Sequence, residues 1–366
     1  MAFEFSMVKT FSEESSDLYN AMKEYATNCV NERKGLTCFA ERSKEDMEKL
    51  INKEFALEVG RQSGFELKGT EDNTGFKRYS NNPMVKYYAS LIRDVMIDMV
   101  LPMTLLDGAL RYFADIRYAD LGGSITFDVG NNNLYTVSKA GYRKKHTNLQ
   151  KLYPTTVTLT GENHQITVGT DLFEILTNTA YIARDVMKAS RSIETQMYYE
   201  AYDAFNNAMT GLTGNLEVAN YSSPSLFKLC QTIEAWNQGA KPIILGTPVA
   251  LNAVLPSNSN YRYVLDDTYV KLGHLQTFQG YDIVPLSQVA DYTNPTPYSL
   301  KLDDSRIYVV SPASQKLVQV GVFGGTYTHQ DAPYENQNKL VMNTTEKAWS
   351  TRIATNAVAG VVKSLG

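Results

Sequence analysis

The stretch TDLFEILTNTAYIARDVMKASRSIETQMYYEAYDAFNNAMTG, residues 170–211, decides the fold. It contains no Pro, and its Gly stands at the last position. Ile182, Val186, Ile193, Met197, Ala201, Ala204 and Ala208 recur at steps built of three and four residues, the spacing of one helix face. Asp171 followed by Glu174 reads as a helix start, and Gly211 as its stop. At about 1.5 Å per residue this predicts a rod of roughly 50 to 60 Å. That is much longer than an ordinary globular helix. A spine of this length suits a piece of an assembly better than a self-contained catalyst.

Working outward toward the N-terminus, the hydrophobic period changes to two. SITFDV (124–129) and TTVTLT (155–160) alternate apolar and polar residues and predict strands. Between them lies NNNLYTVSKAGYRKKHTNLQKLYP, with few large aliphatic residues and no acid between Asp128 and Glu162. Lys139, Arg143, Lys144, Lys145 and Lys151 all fall within it. The span is too long for a tight turn and too polar to bury a core of its own. Three readings follow: a solvated loop, a contact with phosphate, or a contact with an acidic neighbouring subunit. The hairpin geometry favours the third, because an arm of that length needs a surface to rest on.

Earlier still, Pro83 can open a helix. Met84, Tyr87, Tyr88, Leu91, Ile92, Val95, Met96 and Met99 then form a narrow seam, of the kind that packs on another element or another subunit. Pro102 is expected to end or kink that helix. Residues 1–63 read as helical and highly charged, with Met47, Leu50, Ile51 and Phe55 on one stripe, and 64–82 as a linker.

Beyond the spine, Pro224 opens a second amphipathic helix carrying Leu226, Leu229, Cys230, Ile233 and Trp236. KPIILGTPVALNAVL reads as a buried strand, a Gly turn and a short helix; YDIVPL and RIYVVS add two more strands. Alternating strands and helices predict a compact α/β unit. The end of the chain returns to period two in KLVQVGVF and KLVMNTTEKAWSTRIATNAVAGVV.

Composition bounds the function. At 366 residues the chain has room for two or three compact units. Its 43% apolar and 20% charged residues are those of an ordinary soluble protein. A net charge of -4 argues against a global nucleic-acid binder while leaving a local basic patch open. The 24 Tyr against 14 Phe and 2 Trp favour residues with an apolar body and a polar tip, useful at protein contacts. Cys29, Cys38 and Cys230 show no metal or redox spacing and read as free thiols. The N-terminus lacks a secretion pattern, and the apolar run at 95–106 is too short for a bilayer and is interrupted by Asp98 and Pro102. The protein is expected to be made in the cytoplasm and not to be embedded in a membrane.

Catalytic patterns fail in turn. His146, His164, His274 and His329 are scattered, without a second ligand at metal spacing. LGTPVAL lacks the Lys-Ser/Thr of a phosphate loop. The Asp266-Asp267 and Asp303-Asp304 pairs read as loop residues, and Cys230 lies on an apolar stripe that predicts burial. No catalytic residue, cofactor or metal is expected.

The order of these elements resembles the major capsid proteins of tailed bacteriophages with the Hong Kong 97 fold. FADIRYADLGGSITFDV, the polar span and YPTTVTLT look like the two limbs of that family's E-loop. TVGTDLFEILTN and the following helix look like its P-domain spine, and KPIILGTPVALNAVL with TFQGYDIVPLSQVA resembles its A-domain. The resemblance covers about residues 110–363 and rests on pattern rather than on an invariant motif. It implies an α+β fold divided into an N-terminal arm and helices (1–110), an E-loop region (111–165), a P-domain spine helix (166–215), an A-domain (216–315) and a return into the P-domain (316–366). It implies a shell protein forming pentamers and hexamers of an icosahedral or prolate head around double-stranded DNA, located in the virion capsid and in the host cytoplasm during assembly. Portal, scaffold and decoration proteins are its implied partners. Lys139, Arg143, Lys144, Lys145 and Lys151 would contact a neighbour through the E-loop, and Tyr87, Tyr88, Leu91 and Val95 through the N-terminal helix. Some members lose an N-terminal segment to a protease; this chain is expected to keep its own. A cross-link from an E-loop lysine to a neighbour's Asn is not expected. An encapsulin-type shell around protein cargo, a tail sheath or tube subunit, and an α/β enzyme with an unrecognised site are the alternatives.

Overall fold

A computed structural model describes residues 16–36, 38–39, 42–65, 67, 82–105, 114–130, 155–169, 175, 180–255, 267–311, 316–331, 342–355 and 357–365. The spine is present as a helix over Ile182–Thr210, preceded in chain order by Ser16–Arg33 (α1), Lys44–Ser63 (α2) and Pro83–Leu105 (α3), and it is named α4. Its 29 residues span about 44 Å, less than the sequence led us to expect. The helix begins at Ile182, not near Asp171, and Asp171 and Glu174 lie outside the described residues. Tyr181 at the start makes no side-chain cap bond; the Ile182 amide instead donates to the side-chain oxygen of Asn52 on α2, at 2.9 Å. A distant residue caps the helix, which local sequence cannot announce. Gly211 ends α4 in a right-handed conformation, its N–H on the Asn207 carbonyl. Ile182, Val186, Ile193, Met197 and Ala201 are buried as expected, but Ala204 and Ala208 are only half-buried. The buried face moves onto Tyr202, Phe205 and Met209, the bulkier neighbours that reach the second sheet.

Two sheets flank this spine. The first joins Ala114–Ala119 (β1), Glu162–Gly169 (β4), Val318–Asp331 (β10) and Met342–Ile353 (β11) in the order β1-β10-β11-β4. Only β1 with β10 is parallel. The second is six-stranded and mixed, in the order β5-β12-β9-β6-β8-β7. Its strands are Glu217–Val218 (β5), Ile243–Gly246 (β6), Thr277–Phe278 (β7), Tyr281–Pro285 (β8), Ile307–Val310 (β9) and Gly360–Val362 (β12). Helices Ser223–Trp236 (α5) and Pro248–Asn252 (α6) and the short Asp267–Leu272 (α7) complete this part of the chain. The last strand, β12, pairs with β9 and β5, so residues 316–366 divide between the two sheets rather than returning as one piece.

Strand alternation explains how one helix serves both sheets. On β6 and β9, Leu245, Tyr308 and Val310 face the large core shared with α4, while Ile244, Ile307 and Val309 face α5 and α6. Strands buried on both faces read as continuous apolar runs, as IILG and IYVV do. On α5, Leu226, Leu229, Cys230 and Ile233 are buried, but Trp236, expected on the same stripe and the last residue of the helix, is 63% exposed. The large core also holds Met47, Ile51 and Phe55 of α2 and Val85, Ala89, Ile92, Met96 and Val100 of α3. Leu50 is only half-buried. Helix α3 runs through Pro102 to Leu105 rather than ending at it.

Candidate assembly surfaces

Strands Ser124–Val129 (β2) and Thr155–Thr160 (β3) pair antiparallel, from Ser124 opposite Thr160 to Val129 opposite Thr155. The two limbs leave this stem side by side, and the stem is anchored at its base. Ile125, Phe127 and Leu159 form a small core with Phe323 of β10 and Ala348 of β11, on the face of the first sheet turned away from α4. The Arg117 guanidinium covers Phe127 at 4.2 Å from the ring centre. The alternation in SITFDV and TTVTLT is therefore a stem laid on a sheet: Ile125, Phe127 and Leu159 are buried on it and Val157 is half-buried. Residues 131–154, with Lys139, Arg143, Lys144, Lys145 and Lys151, lie outside the described residues.

The α3 seam splits into two faces. Val85, Ala89, Ile92 and Met96 are buried against the rest of the chain. Of the residues expected to meet a neighbour, Tyr87 is 61% exposed, and Tyr88, Leu91 and Val95 are half-buried. Met84 at the start of the helix is exposed as well. Tyr87 and Tyr88 stack edge to face, with ring centres 5.3 Å apart. The steps from 84 through 87, 88, 91 and 95 follow one helical line, so the chain leaves an apolar stripe on α3 partly uncovered.

Polar groups inside the fold hold α3 and α4 rigidly under these surfaces. On α3, Asp98 accepts the Thr326 amide at 2.7 Å and the Lys347 ammonium at 2.7 Å. Arg93 donates from Nε to Asp185 of α4 at 2.8 Å. On α4, Glu200 accepts the Trp349 indole N–H of β11 at 2.8 Å, and His164 of β4 stacks on that indole with ring centres 3.6 Å apart. Further along α4, Tyr202 accepts the Asp303 amide at 2.9 Å, and Asp203 pairs with Lys301 at 2.9 Å. Sequence reasoning missed these ties, since each joins residues far apart in the chain.

The groups tested for chemistry occupy structural positions. Cys230 is fully buried, and burial together with the nearby Glu234 carboxylate pushes its thiol up to about 12. Burial also raises the Cys29 thiol. His164 lies 3.6 Å from Glu200 and His329 3.9 Å from Glu346, and His274 is buried beside the Leu275 carbonyl. Asp303 accepts from Ser305 and pairs with Arg306, and Asp304 accepts from Gln288 at 2.8 Å, so both carboxylates brace their own loop. His146 and Asp266 lie outside the described residues. Among the described residues no group of three His, Cys, Asp or Glu is placed to hold a metal, and no helix is long and apolar enough to cross a membrane.

No protein-family model and no curated protein matches the sequence. Among solved structures the chain is similar to phage capsid proteins. One is the mature capsid of bacteriophage PhiM1, at 14% identity and a TM-score of 0.46, covering 70% of this chain and 87% of that one. Another is the capsid of cyanophage P-SCSP1u, at 10% identity and a TM-score of 0.46, covering 68% and 86%. A third is the satellite phage P4 procapsid, at 8% identity and a TM-score of 0.46, covering 73% and 90%.

Proposed function

We propose that this chain is a shell-building structural protein, the major capsid protein of a tailed-phage head, and not an enzyme. The observation that carries the reading is the stem β2–β3. It is anchored on a rigid sheet, its limbs stay paired to Val129 and Thr155, and it gives out into a basic, core-poor span. A sequence so poor in large apolar residues cannot bury a core of its own and suits contact with another subunit. The partly uncovered stripe on α3 supports the same reading, as a second patch suited to contact between copies.

In this reading residues 111–165 are the E-loop region, α4 is the P-domain spine, 216–315 form the A-domain, and 1–110 supply the arm and helices. Pentamers and hexamers close a shell around double-stranded DNA held without sequence specificity. Portal, scaffold and decoration proteins are the further partners, and the protein resides in the virion capsid after assembly in the host cytoplasm. Binding energy comes from modest contacts repeated over many copies. Negative-stain microscopy of the purified protein tests it, and closed shells are expected. Helical tubes, or monomers at every protein and salt concentration, would sink the reading. Shells isolated with protein cargo and no DNA would replace the phage head with an encapsulin-type compartment.

A further inference from the structure

Between α3 and the first sheet, five ionisable side chains meet: Arg93, Asp94, Asp98, Asp185 and Lys347. The ammonium of Lys347 is given to Asp98 at 2.7 Å. The Arg93 guanidinium is given to Asp185 at 2.8 Å and to the hydroxyls of Thr328 at 3.1 Å and Thr345 at 2.6 Å. Asp94 receives neutral donors: the Thr328 amide at 2.8 Å and the Thr328 hydroxyl. Three carboxylates therefore face two cations, both cations are committed elsewhere, and the carboxylate left over is 6% exposed. From α2 the neighbour at this place is the apolar Phe55, and from β10 the next residue, His329, points to the other face, toward Glu346.

We propose that Asp94 is a proton-operated latch between α3 and β10: with the carboxyl neutral the helix seats firmly, and with it ionised the seat loosens. A proton is accommodated without breaking the network. The Thr328 hydroxyl turns its hydrogen to Thr345 Oγ1, 3.0 Å away, and accepts the carboxyl O–H in its place. A small crevice beside Thr328 and Arg93, the residues that face Asp94, is lined by Ser90 and Asn343 together with the apolar Phe55, Ala89, Ile175 and Ile182. Burial pushes the Asp94 carboxyl up to about 6, against the pull of the Thr328 bonds and of Arg93. Because the folded value is raised, the stabilisation is complete below the ordinary value of 3.8 and is lost as pH rises through about 6. The latch is a property of the single chain; only its bearing on assembly, through the outer stripe of α3, rests on the shell reading.

Hydrogen exchange on the full-length chain tests it, read in peptides covering 94–98 and 324–329 and corrected for the intrinsic pH dependence of exchange. Protection in the unaltered protein should fall about tenfold between about pH 5 and pH 7.5, part of a total of roughly 100-fold for a shift of about two pH units. Asp94→Asn, a fixed copy of the neutral state, should show no such fall. Protection that does not change with pH, or that falls as much in Asp94→Asn, overturns the latch. If that variant does not fold, Thr328→Val removes one donor to the carboxylate and should move the midpoint to higher pH; an unmoved midpoint overturns it equally. Microscopy at the same pH values separates the two proposals, since a titrating latch in a chain that forms no shell leaves the latch and removes the shell.

Discussion

Asn52 accepts the Ile182 amide at 2.9 Å and donates to the Ala180 carbonyl at 2.9 Å, so a residue of α2 caps the spine helix across 130 residues of chain. Asn52 is 3% exposed, so its bonds to the helix start are made out of bulk solvent. Asn52→Ala should cost about 1 to 3 kcal/mol, the penalty of leaving a buried backbone donor unpaired. Chemical denaturation of the unassembled chain measures it. A loss below about 0.5 kcal/mol would mean that α4 finds another cap.

Glu48 on the same helix is fully buried, while its partner Arg184 is more than half exposed, at 2.7 Å. The guanidinium meets the carboxylate at two points, with Nε on Oε1 at 2.8 Å, and solvent reaches the pair from the Arg184 side. On the core side the Tyr25 hydroxyl donates to Glu48 at 2.6 Å. Glu48→Gln keeps an acceptor for Tyr25 and should be mild, while Glu48→Ala should cost about 1 to 3 kcal/mol. Equal melting temperatures for the two variants would contradict this ordering.

The bulge in β10 between Phe323 and Tyr327 turns on Gly324, whose φ is 62°. A side chain there would be strained, and its Cβ would lie 2.7 Å from that of Leu121. Gly324→Ala should destabilise by about 1 to 2 kcal/mol, with exchange rising first in the residues that α3 grips, Thr326 and Thr328. A neutral substitution would show that the bulge tolerates another conformation.

How much of this was legible follows the range of each interaction. The stem strands 124–129 and 155–160 were readable residue for residue, because alternation is local and one face is buried. The buried strands of the second sheet were readable as short apolar runs bounded by Gly and Pro. The start of α4 was not: its cap comes from Asn52, on a distant helix, and no local pattern at Ile182 announces it. Strand β1 was passed over as part of the loop region, and β4 was divided between that region and the spine, since their partners β10 and β11 lie far along the chain. On α3 the seam was visible, but its division into a core face at Val85, Ala89, Ile92 and Met96 and an outer stripe was not. Asp94 and Asp98 one turn apart look like solvated charge until β10 is set against them.

The outer stripe of α3 is the first place to test assembly. Leu91 and Val95 are half-buried, so Leu91→Asp with Val95→Asp leaves the inner face at Ile92 and Met96 in place. The isolated chain should keep its folded circular-dichroism signature. Contact with a second copy would bury two unpaired charges, at a cost of several kcal/mol, and shells should not form. Normal particles from this double variant would remove α3 from the interface.

The stem makes the decisive test, because its geometry allows the span between its strands to be removed cleanly. Val129 stands opposite Thr155 in an antiparallel pair, and a two-residue Asn-Gly turn closes such a pair without changing its register. Replacing residues 130–154 by Asn-Gly should therefore leave the Ile125, Phe127 and Leu159 core on Phe323 intact, and the chain should fold and stay soluble. In the shell reading it loses its grip on the neighbour and forms no closed particles. Reversing charge within the full-length span, with Arg143, Lys144 and Lys145 all changed to Glu, separates reach from charge. Each exposed pair is worth only about 0 to 1 kcal/mol, but the same loss repeated over every copy should weaken the particles and abolish the salt sensitivity of assembly below about 0.15 M. Unchanged DNA affinity of the isolated chain would accompany this if the cations face protein. Shells that form normally from the shortened chain would show that the span is not the arm, and a loss of DNA affinity in the triple variant would assign its cations to phosphate instead.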